Sequence, residues 1–256
     1  MPNDLGRLPS PDREGRLSGF VAVVNLNGAP IDRELLEQLT RSMHVRGPDR
    51  QRVWVDGSVG FGHALMRTAD EDEYDCQPNS LLGAIWITGS VRIDDREGLL
   101  NKLGKTETIR LDQTCDSDLI LHAYQAWGEN CTEHLLGDFA FAIWDSRERK
   151  LFCARDHFGM RQLYYARTED SLIVTNTLHC MLEHPDISGR LNEDAIGDFL
   201  LFGDHTWADK TQTMYADVRK LHPAYRLVLK AGSVTTQRYW RFPLDVPLLR
   251  YRKEQD

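Results

Sequence analysis

The sequence predicts an α+β fold in which two antiparallel β-sheets stack face to face. Strand-like apolar runs follow one another across short polar turns, as they do in antiparallel hairpins. Helical spacing of apolar residues is found in only a few segments, which disfavours a doubly wound parallel sheet. With 256 residues, the chain is long enough to bury one sizeable core and to carry a tail.

Turn signals divide most of the chain into pairs of strands. Before the first pair, residues 19–26 form an almost continuous apolar run, which is typical of a central strand buried on both faces. Asp56-Gly57 predicts the first hairpin, because both central residues of a type I′ turn need positive φ. The expected pairs are 52–55 with 59–63, 139–144 with 151–155, 163–167 with 171–175, and 225–229 with 234–239, and a further strand is expected at 84–88.

Four segments have the pattern of helices. Asp32 is a good N-cap before apolar residues at helical spacing, and this first helix must end before Gly47-Pro48. The other helices are expected at 116–127, 178–182 and 192–202. In the hairpin of residues 139–155, we expect a two-sheet core that contains Phe139, Phe141, Ile143 and Leu151, with Trp144 near its edge.

Composition excludes several classes of function. The formal net charge of −8 disfavours binding to nucleic acid or to an anionic membrane, because both need a basic face. The longest apolar runs are far shorter than a membrane span, so we expect a soluble, cytoplasmic protein. The five cysteines lack CxxC spacing and the nine histidines form no tight ligand cluster, so we predict reduced thiols and no metal.

The chain divides into three parts. Residues 1–17 are rich in Pro, Gly, Arg and Asp without the apolar stretch of a secretory signal, so we expect a disordered N-terminal extension. Residues 18–241 carry the predicted strands and helices and form the expected domain. Residues 242–256 contain prolines and basic residues, as a linker toward a further domain does.

Three stretches together carry a family resemblance. They are Arg46-Gly47-Pro48-Asp49, residues 136–145 (LGDFAFAIWD) and residues 154–165 (ARDHFGMRQLYY). Each stretch alone could be an ordinary turn or a buried hairpin. Their order and spacing, with Ser18-Gly19-Phe20 opening the first strand and Asp116 opening a helix between them, resemble the class II glutamine amidotransferase domain of asparagine synthetases.

This resemblance implies the fold of the N-terminal-nucleophile hydrolases, a four-layer αββα sandwich of two stacked antiparallel sheets. In that family, the first residue of the processed chain is a cysteine whose thiol attacks the glutamine amide. The cysteine's own α-amino group serves as the general base. An α-amine is suited to this role because its pKa of about 7.7 to 8 lies close to working pH.

At the nucleophile position, the sequence departs from the family. Ser18 stands where the family has cysteine, and seventeen residues precede it. A serine hydroxyl needs a well-placed base, and an amide-bonded Ser18 nitrogen cannot act as one. Only cleavage between Leu17 and Ser18 would free that nitrogen. We therefore interpret Ser18 as a degenerate nucleophile position.

The substrate-binding positions also look vestigial. In this resemblance, Leu65 replaces the arginine that holds the glutamine carboxylate, so roughly 1.5 to 3 kcal/mol of binding free energy is lost. Arg67 lies two residues further along the chain and is only a displaced substitute for that arginine. The family's Asn-Gly-Glu-Ile-Tyr-Asn segment falls on residues 88–95 in one of two registers. Anchored on Gly89, its asparagine and glutamate become Thr88 and Ser90; anchored on Ile93, they become Ser90 and Arg92. Losing one oxyanion donor typically costs on the order of 10² to 10³ in rate.

Two family positions are retained. Arg46 of the first motif and Asp116, which we interpret as a helix N-cap, are unchanged.

Because the other positions have changed, the pattern resembles the amidotransferase-like domains of β-lactam synthetases and lasso-peptide cyclases. In those relatives, a C-terminal ATP-pyrophosphatase domain adenylates a carboxylate that an amine then attacks. No Ser-Gly-Gly-x-Asp-Ser phosphate loop occurs in this chain. We therefore expect no cofactor here, with ATP and Mg on a synthetase domain that acts as partner in cis or in trans.

Three hypotheses remain open at this point. The first is a non-catalytic scaffold or docking module of an asparagine-synthetase-like, glutamine-hydrolysing type of amide ligase, which is also compatible with a homodimer. The second is an active amidohydrolase that cleaves its chain between Leu17 and Ser18 and uses Ser18 as nucleophile. The third is a fragment of an inactive gene. The intact mass of the purified protein separates the first two.

Overall fold

The computed structural model describes residues 17–68, 74–107, 109–203 and 209–244. Nearly all of the expected N-terminal extension and most of the expected linker therefore lie outside the described residues. Within the described ranges, the strands are β1 (Gly19–Asn25), β2 (Arg50–Asp56), β3 (Val59–Leu65), β4 (Asn79–Leu81), β5 (Ile85–Ile93), β6 (Gly137–Asp145), β7 (Lys150–Arg155), β8 (Tyr164–Arg167), β9 (Ser171–Thr175), β10 (Arg219–Lys220), β11 (Tyr225–Lys230) and β12 (Ser233–Arg238). The helices are α1 (Arg33–Ser42), α2 (Arg96–Leu103), α3 (Asp116–Trp127), α4 (Leu178–Leu182) and α5 (Glu193–Phe202).

Two six-stranded antiparallel sheets organise the chain. The first sheet has the strand order β10-β8-β9-β1-β3-β2, and the second has the order β12-β11-β7-β6-β5-β4. As expected, β1 is central, since it pairs with β3 on one side and with β9 on the other. The predicted class, two stacked antiparallel sheets with helices, is confirmed, and the four predicted hairpins are β2–β3, β6–β7, β8–β9 and β11–β12.

Three apolar clusters show how the layers pack. The cluster between the sheets joins residues of both, including Phe20, Phe61, Ala142, Leu151 and Leu227. A second cluster lies between the outer face of the second sheet and helices α2 and α3. The third lies between the outer face of the first sheet and helices α1 and α4. The chain is therefore an αββα sandwich, because each sheet buries one face against the other sheet and one against helices.

The prediction for strand β6 was right about burial and wrong about the layer. Phe139, Phe141 and Ile143 are fully buried, but they pack against α3 rather than between the sheets. Ala140 and Ala142 are the neighbours that face the first sheet, together with Trp144. Successive side chains of a strand point to opposite faces, so an all-apolar run does not reveal which face is which.

Several elements differ from the expectations in detail. In the β2–β3 turn, Gly57 has φ of +55°, but neither Asp56 nor Ser58 is among the positive-φ residues, so the type I′ pattern predicted at Asp56-Gly57 is wrong. Strand β5 continues to Ile93, although we expected it to end at residue 88. Helix α2 and strands β4 and β10 were not predicted. None of the helices in the described ranges combines the length and apolar character needed to cross a bilayer.

Candidate functional site

Ser18 lies directly before β1, at one end of the sandwich. Its Oγ accepts a hydrogen bond from the backbone N–H of Met66 (3.0 Å), and its carbonyl oxygen accepts one from the Asn176 side chain (2.8 Å). The Asn176 Oδ1 also accepts from the N–H of Phe20, so one buried amide fixes the chain on both sides of Gly19. Within the described residues, Oγ hydrogen-bonds only to the backbone of Met66 and to no side chain that could act as a base.

The Arg46-Gly47-Pro48-Asp49 segment closes against the end of β3. A Cβ on Gly47 would lie 1.9 Å from the carbonyl oxygen of Ala64, so only glycine fits this position. The N–H of Asp49 donates to the carbonyl of Leu65 (3.0 Å). Nη1 of Arg46 lies 3.5 Å from the backbone carbonyl oxygen of Asn176, the residue whose side chain binds the Ser18 carbonyl. Burial lowers the pKa of Arg46.

Leu65 is the residue that we predicted, from the family resemblance, at the position where the family holds the substrate carboxylate. Its side chain is only 2% exposed, at the end of β3. Arg67, the displaced substitute, is exposed, and its backbone N–H donates to the Asp49 carboxylate (2.8 Å). The described part of the chain thus places an apolar side chain, rather than a guanidinium, at this position.

Thr88 and Gly89 lie in β5, directly opposite β3 of the other sheet. The Thr88 hydroxyl, which is fully buried, donates to the carbonyl of Gly62 (3.1 Å). In return, His63 Nε2 lies 3.1 Å from the carbonyl of Gly89, and because a carbonyl can only accept, the imidazole donates. These reciprocal hydrogen bonds join the two sheets. The Thr88 hydroxyl could donate to a substrate only by giving up its bond to the Gly62 carbonyl. The role of His63 was missed in the sequence, although this residue lies two positions before Leu65.

Residues 88–92 all lie within strand β5. A Cβ on Gly89 would lie 2.6 Å from Cβ of Phe141, so this position must be glycine. That requirement and the contacts with β3 favour the register anchored on Gly89. Ser90 is buried, whereas Arg92 is exposed and pairs with Asp138 (3.2 Å) and Asp94 (3.2 Å).

Asp116 is not an N-cap, which corrects the prediction. Cys115 is the N-cap residue of α3, and Asp116 is the first residue of the helix. Its Oδ2 accepts from the N–H of Ile93 (2.9 Å), and its Oδ1 lies 3.1 Å from Nε of Arg96. Arg96 also donates to the carbonyl of Thr114. The carboxylate is therefore neutralised from within the chain by Arg96, a residue that no sequence pattern singled out.

The arrangement connects Ser18 to Arg46 through Asn176, and it places Thr88 and Gly89 on the facing strand. As far as the chain is described, it supplies a hydroxyl that no base contacts by a hydrogen bond, an apolar side chain at Leu65 and a carboxylate paired with Arg96. Hydrolysis of an amide needs an activated nucleophile and free donors for the developing oxyanion. Across the described ranges, no cluster of three or more His, Cys, Asp or Glu side chains could hold a metal ion.

A sandwich of two antiparallel sheets between helices, with the nucleophile position at the start of a central strand, is the fold of the N-terminal-nucleophile hydrolases. The structure is similar to glutamine phosphoribosylpyrophosphate amidotransferase from Bacillus subtilis, with a TM-score of 0.61 and 15% sequence identity. That similarity covers 87% of this chain and 49% of the other.

Residues 17–240 match the glutamine amidotransferase domain family, and the chain belongs to this family. It is 27% identical over 212 residues to glutamine-hydrolyzing asparagine synthetase 3 of Bacillus subtilis, covering 82% of this chain and 34% of the relative. It is 28% identical over 232 residues to asparagine synthetase 1 of the same organism, covering 88% and 35%. The chain therefore spans about a third of the length of these curated relatives.

Proposed function

We propose that this chain is the amidotransferase-like domain of an asparagine-synthetase-like, amide-forming enzyme, that it does not hydrolyse glutamine, and that it acts as a scaffold or docking module. The observation that carries the proposal is the state of the substrate-binding groups. Leu65 offers no charge, the Thr88 hydroxyl is bonded to Gly62, and the Asp116 carboxylate is paired with Arg96. Replacing these internal partners by a substrate would leave buried groups unsatisfied.

A docking role is supported by an exposed apolar surface where the chain leaves the domain. This exit surface consists of the exposed Phe158 and Phe242 and the half-buried Trp240 between them. Phe158 is 67% exposed and Phe242 63% exposed, and the Trp240 ring contacts both at centroid distances of 5.6 Å and 6.0 Å. Exposed aromatic patches of this kind are common at protein interfaces.

The partner that fits this role is an ATP-pyrophosphatase-type synthetase domain, joined in cis or bound in trans. The relatives are about three times as long as the matched region, which leaves room in them for such a further domain. In this proposal, ATP and Mg are bound by the synthetase domain, as in the β-lactam synthetases and lasso-peptide cyclases. The same surface also permits a homodimer, and the protein acts in the cytoplasm.

The test is ammonia release from glutamine by the purified full chain, together with its intact mass. The expected result is no ammonia above a buffer control and a mass corresponding to a start at or near Met1. A mass that begins at Ser18, with glutamine turnover that disappears in Ser18→Ala, would instead establish an amidohydrolase that uses the serine. That outcome would overturn the proposal.

A further inference from the structure

A cleft of about 210 Å³ opens beside the first sheet, at the other end of β1 from Ser18. Asn25 ends β1 and lines the cleft, whereas Ser18 precedes the strand. The two residues are therefore roughly 20 Å apart along a strand that rises about 3.3 Å per residue. The other walls come from α1, the start of β9 and the segment that follows α4. The cleft is thus separate from the candidate functional site.

Much of the cleft lining is apolar. Val23, Leu36 and Leu39 are buried and belong to the cluster between the first sheet and its helices. The half-buried Ile31 and Leu35 line the cleft as well. An aliphatic chain that covered these side chains would leave water for a hydrocarbon surface, which favours binding in proportion to the area covered.

Two polar residues of the lining are already bonded to each other. The Ser171 hydroxyl donates to Oδ1 of Asn25 (2.9 Å), and Nδ2 of Asn25 donates to the carbonyls of Ala29 (3.0 Å) and Pro30 (3.1 Å). These bonds hold the start of β9 and the segment after β1 together. They use the donors of both side chains, so a ligand must find its hydrogen bonds elsewhere in the cleft.

His184 supplies an unused donor. The residue is only 5% exposed, and its Nδ1 accepts a hydrogen bond from the backbone N–H of Asp186 (3.3 Å). Burial lowers the pKa of His184, although the Asp186 carboxylate opposes this effect, so the ring is neutral at neutral pH and carries its proton on Nε2. Among the described residues, Nε2 has no acceptor, and it is not sealed off from solvent. A buried N–H of this kind can donate to a ligand in the cleft.

Carboxylates give the cleft its charge. Asp32, Asp170 and Asp186 line it, and no lysine or arginine is among the described residues that do. Asp186 Oδ2 lies 4.0 Å from Nδ1 of His184, and Asp170 directly precedes Ser171. The lining therefore complements a positive charge. Since the described residues contain no group of three or more His, Cys, Asp or Glu that could hold a metal ion, the cation that fits is an organic one.

We propose that this cleft binds a small organic cation, namely a short aliphatic amine that also carries a hydroxyl or carbonyl oxygen. Its ammonium group binds the carboxylates of Asp170 and Asp186, its aliphatic chain covers the apolar lining, and its oxygen accepts from Nε2 of His184. The volume of about 210 Å³ suits such a ligand, because clefts for drug-sized molecules measure about 300 to 1,000 Å³. The proposal does not depend on whether the domain hydrolyses glutamine.

The test is nuclear magnetic resonance of the isotope-labelled full chain at neutral pH, in which assigned signals are followed during titration with aminopentanol. A saturable shift of the His184 ring signals is expected. Pentanol, which lacks the ammonium group, and pentylamine, which lacks the oxygen, should each bind roughly 3- to 10-fold more weakly. Ethanolamine has three fewer CH₂ groups and should bind more weakly by at least about 10-fold.

A charge variant of the cleft provides the second arm. Asp170→Asn combined with Asp186→Asn keeps the shape of both exposed side chains and should weaken aminopentanol roughly 3- to 10-fold without changing the affinity for pentanol. The matched control Asp194→Asn removes an exposed carboxylate of α5 outside the cleft and should leave both affinities unchanged.

Three results would overturn the proposal. The first is the absence of a saturable shift at His184, including the case in which only signals of exposed carboxylates move. The second is an affinity for pentanol or pentylamine equal to that for aminopentanol, because the ammonium group or the oxygen would then find no partner. The third is an unchanged affinity for aminopentanol in the doubly substituted chain.

Discussion

The nucleophile end and the substrate end of the candidate site are built from different kinds of contact. At the nucleophile end, Gly47 packs against the Ala64 carbonyl and the Asn176 side chain binds the Ser18 carbonyl. At the substrate end, Leu65 is buried and Asp116 is paired with Arg96. The first end depends on close backbone packing that the fold itself requires, whereas the second depends on side chains that only a substrate requires. A motif such as Arg-Gly-Pro-Asp therefore reports the fold and not the activity.

The largest expected effect comes from breaking the backbone contact at the nucleophile end. Gly47→Ala would place a Cβ 1.9 Å from the Ala64 carbonyl oxygen, and neither backbone can move without disturbing β3. We expect a loss of more than about 3 kcal/mol in the free energy of unfolding, at the upper end of overpacking costs. Urea denaturation monitored by circular dichroism measures this loss.

A second glycine provides the control for that measurement. Gly197 lies inside α5, and a Cβ there would have nothing within 4 Å. Gly197→Ala should stabilise the protein by about 0.5 to 1 kcal/mol through helix propensity alone. If the two variants had similar stabilities, Gly47 would not be required by packing and the distinction between the two ends would fail.

The sequence was informative about the elements whose signals are local. The hairpins were predicted because their turn residues and flanking apolar runs lie within a few residues of each other. The full extent of β5 was not predicted, because Gly89, Ser90 and Arg92 have little strand propensity. They are in a strand because they pair with β6. The sequence also could not assign Phe141 to a layer, since both faces of β6 are apolar and only tertiary packing separates them.

The chemistry of the site shows the same limit. The predictions that the nucleophile is replaced at Ser18 and the carboxylate-binding arginine at Leu65 rest on position in the sequence alone. The sequence could not predict that Thr88 bonds to Gly62 or that Asp116 pairs with Arg96, because these residues meet only in the folded chain. For the same reason, the sequence shows Asn176 only as a polar residue after a strand and does not indicate that its side chain binds Ser18 and Phe20.

The next effect concerns the hydrogen bond that joins the sheets. Thr88→Val keeps the shape of the side chain but leaves the Gly62 carbonyl without its donor in a fully buried position. We expect a loss of about 1 to 3 kcal/mol in the free energy of unfolding. Thr235→Val, on an exposed position of β12, should change it by no more than about 0.5 kcal/mol. Equal, small losses in both variants would indicate that the Thr88 hydroxyl is free for a ligand.

A smaller effect is expected from the ion pair that occupies the substrate end. A double-mutant cycle of Arg96→Met and Asp116→Asn should give a coupling energy of about 1 kcal/mol, because both groups are largely shielded from water. The exposed pair Arg33 and Glu37 in α1 should give only about 0.3 to 0.5 kcal/mol. If the Arg96 and Asp116 cycle gave no coupling, the Asp116 carboxylate would be available to bind an ammonium group.

The smallest expected effect is the gain of activity on restoring the nucleophile alone. A chain that begins at residue 18 and carries Ser18→Cys would have both a thiol and a free α-amine within reach of it. Glutamine must still be held so that its amide lies near the sulfur, and such positioning is worth several kcal/mol of the barrier. Leu65 provides no charge for the carboxylate, and Asp116 is paired with Arg96 instead of facing the substrate ammonium. Because residues of a site lose activity non-additively, a repair at one end should return almost no ammonia release above background.

The informative comparison is with a variant that also carries Leu65→Arg, Thr88→Asn and Ser90→Glu, which rebuilds the substrate end in the register anchored on Gly89. Unfolding curves of both variants establish that they are folded before ammonia release is compared. The rebuilt variant should exceed the single repair, since a bound and oriented glutamine gives the thiol something to attack. If Ser18→Cys alone already gave robust hydrolysis, the substrate end would be functional as it stands. The internal bonds of Thr88 and Asp116 would then have to exchange for a ligand at little cost, and the contrast between the two ends of the site would disappear.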